Sequence, residues 1–539
     1  MKTASVALLA GALLACCAAC RTASSTSGLK LSIAGDPNTF DPIQESDENS
    51  GVILYLTGGT LLRIDPVTDQ VRPELAESWT IDPTGHSITF RLRSGLKFSD
   101  GTPLTADDFA RTMRMAFDPK NASPFADAFR SERGLPEIEV ASPLQITIRY
   151  PVVKAGLERL FDDLYVRYPG GADRSALRVQ PSAGPFFVSD YHSGVAVNLK
   201  RNPWYWKHDI AGKQLPYLDT IHLDIQSNHD IEVDRFLRGE TDMIRKLNPG
   251  DVARVAKQMP AAARDIGPSM DADFLWFNEA PAGLPVWKQK WFTSAMFRHA
   301  VSTAINREDV ARIAWLTHAH PAAGPLSPAN AYWFNADLKP LPFDPDLALR
   351  TLRLEGFALN DGVLRDRDGH PVEFSLITNA GNKARQETAT LIQADLRKIG
   401  IQISIIALDF GSLVDRITKT SQYDACLLGF TNVAVDPTDQ MNFWLSAGPQ
   451  HAWRPEQISP ATPWEARIDQ LVLAQSSEPS RELRRQAFNE VQKIMVEQEP
   501  MIYLVNPDYM AAVAPSLRDI KFTAIFPQPL SNIETLRLR

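Results

Sequence analysis

Apolar and polar residues alternate at Leu29-Lys30-Leu31-Ser32-Ile33-Ala34 and again at Ser87-Ile88-Thr89-Phe90-Arg91-Leu92-Arg93. Side chains on a strand point alternately to its two faces, so this pattern predicts half-buried strands. The first stops at Gly35-Asp36-Pro37; the second runs through Gly95 to Asp100-Gly101-Thr102-Pro103, both turn signals. Thr105 then stands where a helix N-cap is expected, with Asp107 and Asp108 in the first turn. Short strands broken by Gly184-Pro185, Ser193-Gly194, Asn202-Pro203 and Pro216 fill 181–225. Helical spacing takes over at Phe297, Ala300, Val301, Ala304 and Ile305, and again in a helix over about 383–398, where Leu391, Ile392 and Leu396, with Ile399 just past its end, form the inner stripe. Gly400 is placed to end that helix, and a strand resumes at Ile401. A last helix near 480–497 leads through Pro500 into the strand Met501-Ile502-Tyr503-Leu504-Val505.

Strands and helices alternate without a fixed repeat, so the fold class is mixed α/β. No low-complexity linker divides the chain, which predicts lobes built from discontinuous segments that cross between them. With 539 residues, 44% hydrophobic and 22% charged, the chain buries large cores without metals or disulfides. A net charge of −8, spread along the sequence, leaves no basic stripe and excludes nucleic acid as a partner.

The N-terminus changes the picture more. Lys2 precedes a largely apolar run from Ala4 to Leu14. It is too short for a bilayer, which needs about 20 apolar residues, and has the length of a signal-peptide core. Leu13-Leu14-Ala15-Cys16 resembles the lipobox of bacterial lipoproteins, with Cys20 as the rival site. Residues 1–15 are therefore expected to be a lipoprotein signal peptide, and 16–28 a lipidated N-terminus and flexible tether. Cys426, in an apolar run, is expected to be a buried inert thiol.

A set of motifs then falls in one order along the chain. Pro73-Glu74-Leu75-Ala76-Glu77-Ser78-Trp79 precedes the run from Ile88 to Phe109; Ala183-Gly184-Pro185-Phe186, Arg201-Asn202-Pro203-Trp204-Tyr205-Trp206 and Pro216-Tyr217-Leu218-Asp219 follow. Later come Gly239-Glu240-Thr241-Asp242, Phe297-Arg298-His299-Ala300, Ala304-Ile305-Asn306-Arg307-Glu308, Lys398-Ile399-Gly400-Ile401 and Asp436-Pro437. In this order they resemble the bacterial extracellular solute-binding proteins of family 5, the oligopeptide- and dipeptide-binding type. The resemblance implies a two-lobed periplasmic-binding-protein fold, type II-like, with an additional subdomain. By analogy 28–58, 180–270 and 500–539 form lobe I, 59–179 the extra subdomain and 271–499 lobe II. It also implies a substrate-binding lipoprotein of an ABC importer, monomeric, in the cell envelope at the periplasmic or outer surface, with an inner-membrane permease as partner.

One stretch departs from the family. Peptide-binding members carry Gly-Trp and, three residues after the Trp, an aspartate for the ligand's α-amino group. Here Gly429-Phe430-Thr431-Asn432-Val433 puts Phe430 at the Trp place and Val433 at the aspartate place, and Leu427 replaces an arginine of some oligopeptide binders. Valine cannot neutralise a buried ammonium, whose unpaired burial costs several kcal/mol. The ligand is then a blocked peptide, a glycoside or another uncharged solute. Alternatively Asp436, or an acid near Glu45 to Glu48 on the opposite lobe, does that work. Expected ligand-binding positions are Glu45, Asn49, Asn278, Asn379, Phe430, Thr431, Asn432, Val433 and Asp436. Asn278 and Asn379 equally suit turns, Asp436 an N-cap, and Phe430, Trp276 and Trp444 the core.

His318 and His320 form a His-x-His pair, read as a solvated loop because no third ligand stands nearby in sequence. No metal or cofactor is expected. Neither Gly-x-Ser-x-Gly nor His-Glu-x-x-His occurs, so nothing points to an exported hydrolase; a receptor or chaperone-like protein uncoupled from transport is the other alternative.

Overall fold

The computed structural model describes residues 28–539 apart from 132, 171–176, 281–282, 431–434, 449 and 456. The signal and lipidation readings at 1–27, and the positions Thr431, Asn432 and Val433, lie outside the described residues. Among the described residues no helix is long and apolar enough to cross a membrane.

One twelve-stranded sheet runs through the molecule and falls into two halves. In the first, Gly28–Ile33 pairs in parallel with Thr220–Ile225, followed outward by Ala196–Arg201 and Phe186–His192. The helix Glu48–Thr57 covers it, packing Val52, Ile53 and Leu56 on Leu29, Leu31 and Ile33. In the second half Ala272–Phe277 lies beside Ala425–Phe430, then Glu373–Asn379 and Gln402–Leu408. All six residues of Ala272–Phe277 are buried, since helices cover both faces of this part of the sheet. Leu275 and Phe277 meet the layer of Phe297, Val301, Ile392 and Leu396; Phe274 and Trp276 meet that of Ile468, Val472, Phe488 and Met495. Trp276 and Trp444 are each 2% exposed, so they are core residues.

The two halves join through Met501–Val513, thirteen buried residues in one strand. The polar break Asn506-Pro507-Asp508 suggests a strand ending at Val505, yet the strand continues. Residues 501–505 pair with Ala272–Phe277, and 508–512 pair with Ala263–Pro268. Pro507 loses no partner at the crossing: its carbonyl accepts from the Ser269 backbone N–H at 2.8 Å and from Ser269 Oγ at 2.7 Å.

A separate four-stranded sheet, Ala76–Ile81, Ser87–Leu92, Gln145–Arg149 and Glu137–Ser142, packs on the helix Ala106–Phe117. Its core joins Ile88, Phe90, Phe109, Met113, Ile146 and Phe161, each contributing about 1.5–3 kcal/mol by burial. Thr105 and Asp108 form the expected capping box. In the preceding turn Asp100 accepts from the Thr102 N–H at 2.9 Å and from Tyr168 Oη at 2.8 Å, around Gly101 at φ 89°. The most distinctive run of the sequence thus builds a turn and a cap.

Candidate functional site

The strands of the second half end toward the crossing. Ala272 pairs with Phe430, next to residues 268–271 that lead back to the first half, whereas Phe277 pairs with Ala425 at the far end. Asn278 follows Phe277 and is fully buried at that far end. Its amide donates to the carbonyls of Ser421 (2.8 Å) and Tyr423 (3.0 Å), so it serves the turn. Asn379 ends its strand nearer the crossing, but its Oδ1 accepts from Arg385 Nη1 at 2.8 Å. Arg385 is itself bound to the buried Asp273 at 2.6 Å, an ion pair that fills the space where a Gly429 side chain would stand. Phe430 packs edge-on against Phe274 and Phe443, both at 5.0 Å, as a half-buried extension of the aromatic core.

Three segments converge where the halves face each other: the loop 41–47 before the helix Glu48–Thr57, residues 154–166 of the segment that also carries the smaller sheet, and residues 436–440. Asp47 caps its helix by accepting from the Ser50 N–H at 3.0 Å. Glu45 lies back along the same helix; a side chain on Gly51 would stand 3.0 Å from Glu45 Oε1, so the glycine leaves that carboxylate room. Across the gap, Asp436 caps the short turn Pro437–Gln440, accepting from the Thr438 N–H at 3.0 Å. Asp436 also takes Arg484 as a buried ion-pair partner, and Arg159 Nε stands 3.9 Å away. Arg159 reaches Asp69 at 2.5 Å, and Arg481 bonds the same Asp69 from the opposite side. With the Ala155 N–H donating to the Ser476 carbonyl at 3.0 Å, these contacts bridge 69–159 to 436–484.

Three carboxylates in this gap behave differently. Glu45, Asp163 and Asp439 have no ion-pair or side-chain hydrogen-bond partner among the described residues. Burial, with Asp163 and Asp47 nearby, pushes Glu45 up to about 7. Burial, then Asp436 and Asp163, pushes Asp439 up to about 7 despite Arg159 and Lys154. Asp163 is also raised by burial, with Arg63 opposing. Asp163 and Asp439 nevertheless carry accessible surface. Exposed side chains whose charged forms are disfavoured by surrounding protein line a space inside the molecule, not its outer surface.

A second cavity, about 430 Å³, sits beside the smaller sheet, where Tyr55, Arg63, Glu74, Tyr205 and Lys207 line it. Its charges satisfy one another: Lys207 Nζ lies 3.2 Å from Glu74 and 2.9 Å from Glu534. Sequence reading missed Asp163, Asp439, Arg159 and Arg484. The signal present for Asp439 was its place three residues after Asp436 in a proline-led turn.

The model for bacterial extracellular solute-binding proteins, family 5 Middle, matches residues 70–452. The chain belongs to this family. Among its curated relatives, a probable ABC transporter-binding protein of Deinococcus radiodurans is 27% identical over 429 residues, covering 74% of this chain and 72% of that one. Di/tripeptide-binding protein 2 of Pseudomonas aeruginosa is 26% identical over 503 residues, covering 87% and 88%. Among solved structures, NikA of Brucella suis in complex with Fe(III)-EDTA superposes with a TM-score of 0.81 at 20% identity, over 95% of this chain and 100% of that one. The oligopeptide-binding protein AppA of Bacillus subtilis, in complex with a nonapeptide, gives 0.72 at 22% identity, over 95% and 99%. These likenesses establish the two-lobed periplasmic-binding-protein fold. The chain is thus a solute-binding protein of family 5, and the curated relatives named here are binding proteins.

Proposed function

We propose that this family 5 protein captures a peptide or peptide-like solute bearing a protonated amino group between its lobes and delivers it to an ABC permease. In this reading Glu45, Asp163 and Asp439 bind the ammonium, while Asp436, held by Arg484 and Arg159, keeps the lobes together. Asn49 and Phe430 complete the walls, and a lipid on Cys16 or Cys20 tethers the protein to the membrane. The observation that carries the proposal is the trio of unpartnered carboxylates from three segments. Burial and neighbouring acids push two of them up to about 7, Asp439 against the pull of Arg159 and Lys154.

Binding of this kind needs no bond to break. A ligand that touches both lobes only when they meet favours the closed state. Moving that equilibrium from 1:99 to 99:1 takes about 5.5 kcal/mol of differential affinity. Charge-assisted hydrogen bonds contribute about 1.5–3 kcal/mol each, so two or three reach that figure. Val433 at the family's aspartate place favours a second reading, an uncharged or amino-blocked ligand. Mass spectrometry of the ligand that co-purifies with the protein separates the two. A solute cationic at neutral pH is expected, and a neutral glycoside or acylated peptide would overturn the proposal.

A further inference from the structure

The His318-x-His320 pair, read from sequence as a solvated loop without a third ligand, has two carboxylates beside it. His318 Nδ1 stands 2.5 Å from Asp265 Oδ2, and His320 Nε2 stands 3.1 Å from Asp508 Oδ1. One donor atom from each of Asp265, His318 and Asp508 lies within 4.8 Å of the others. Asp508 is 8% exposed, and its Oδ1 is a buried atom held at ion-pair distance from the His320 ring.

The surrounding backbone fixes these donors. The Asp508 N–H donates to the His318 carbonyl at 3.0 Å, and Ala319–Pro321 pairs with the strand residues Val505 to Pro507. Leu316 and Thr317, at φ 51° and 71°, hold left-handed conformations unfavourable for a branched residue, and they turn the chain directly before His318. Asp265 sits where the pairing of its strand shifts register, and its Oδ1 accepts from the Gly267 N–H at 3.0 Å, leaving Oδ2 for His318. Metal-binding side chains are commonly oriented by such outer bonds.

We infer that Asp265, His318, His320 and Asp508 form a site for a divalent transition ion of the zinc type, at the point where the chain crosses between the lobes. Two imidazole nitrogens with two carboxylate oxygens suit zinc, cobalt or nickel and not calcium or magnesium, which favour oxygen ligands alone. Tetrahedral zinc with bonds of about 2.0–2.2 Å holds its donors roughly 3.4 Å apart; Asp265, His318 and Asp508 already bring one donor each within 4.8 Å, while His320, beside Asp508 at 3.1 Å and more than half exposed, has to swing inward to become the fourth. Asp265 lies on the strand Ala263–Pro268 of the first half, His318 and His320 lie on the loop and strand of the second, and Asp508 lies on the strand they share. An ion there ties the two halves at their hinge and favours the interlobe angle seen here.

Equilibrium dialysis of the chelator-stripped full chain against Zn²⁺, with Co²⁺ absorption as the coordination probe, tests the site. One high-affinity ion is expected whose visible cobalt spectrum disappears, with affinity falling roughly 100-fold or more, in H320Q and in the H318Q/H320Q double variant. His320 is more than half exposed, so H320Q folds and isolates the loss of a ligand. Absence of stoichiometric binding, or binding of unchanged strength in both variants (as N-terminal cysteines would give), would overturn the inference.

Discussion

Two sets of acids face the space between the lobes, and they are built in opposite ways. Asp436 is buried with Arg484 against it and Arg159 close by, and Asp69 is shared by Arg159 and Arg481. Glu45, Asp163 and Asp439, a short distance along the same gap, have no ion-pair partner among the described residues and are pushed toward neutrality. Burying a charge is costly unless the protein supplies its counter-charge. Where the protein supplies it, the acid is part of the frame; where it does not, the proposed role of the acid is to meet a charge brought by the ligand. The cavity around Lys207, Glu74 and Glu534 follows the first pattern and so makes a poor ligand site.

The strongest way to break this comparison is to strip a framed acid of its partner. Arg484→Met leaves Asp436 buried beside a more distant Arg159, and a loss of roughly 3 kcal/mol is expected in denaturant unfolding. The converse substitutions sharpen it. Glu45→Gln, Asp163→Asn and Asp439→Asn should each weaken a cationic ligand by about 10- to 100-fold, one lost charge-assisted bond, while leaving the empty protein folded. Titration calorimetry checks the affinities, and a loss of stability as large as that of Arg484→Met would erase the distinction.

A smaller effect lies in pH. Glu45 titrates at about 7 against an ordinary value of 4.5, and Asp439 at about 7 against 3.8. Such groups favour the fold fully below their ordinary values, and that advantage disappears as pH rises through 7. The empty protein should therefore lose stability from about pH 4.5 to 7.5, on the order of 1 kcal/mol for a partly exposed group such as Glu45. Glu45→Gln should flatten that slope, read as Tm against pH. The smallest change is expected at Cys426, fully buried with its thiol pushed up by burial: Cys426→Ala should cost about 1 kcal/mol and leave ligand affinity unaltered.

Local pattern made much of the fold legible. The alternation at 29–34 and 87–93, the Thr105 cap and the helix over 383–398 ending at Gly400 all appear where short-range physics puts them. Met501–Val513 was half read, because Pro507 looks like a strand end until Ser269 is seen to satisfy its carbonyl. The site was harder. Glu45 and Asp436 were visible as acids in turns, but Asp163 became relevant only when two other segments folded against it. His318 and His320 lacked partners for the same reason: Asp265 and Asp508 arrive from 53 and 188 residues away and meet them only at the crossing. Asn278 and Asn379, polar residues at strand ends, suit a site or a turn equally in sequence, and their amides hold backbone and Arg385 here.

The central claim is that unpartnered carboxylates receive an ammonium group, and proton-linked calorimetry addresses it directly. Short peptides with free and with acetylated N-termini are titrated at pH 7 in buffers of different ionisation enthalpy. An incoming cation lowers the titration points of Glu45 and Asp439, so free peptides should bind with release of about one proton, diminished in Glu45→Gln and Asp439→Asn. Acetylated peptides binding as tightly as free ones, with no proton released by either, would contradict the account.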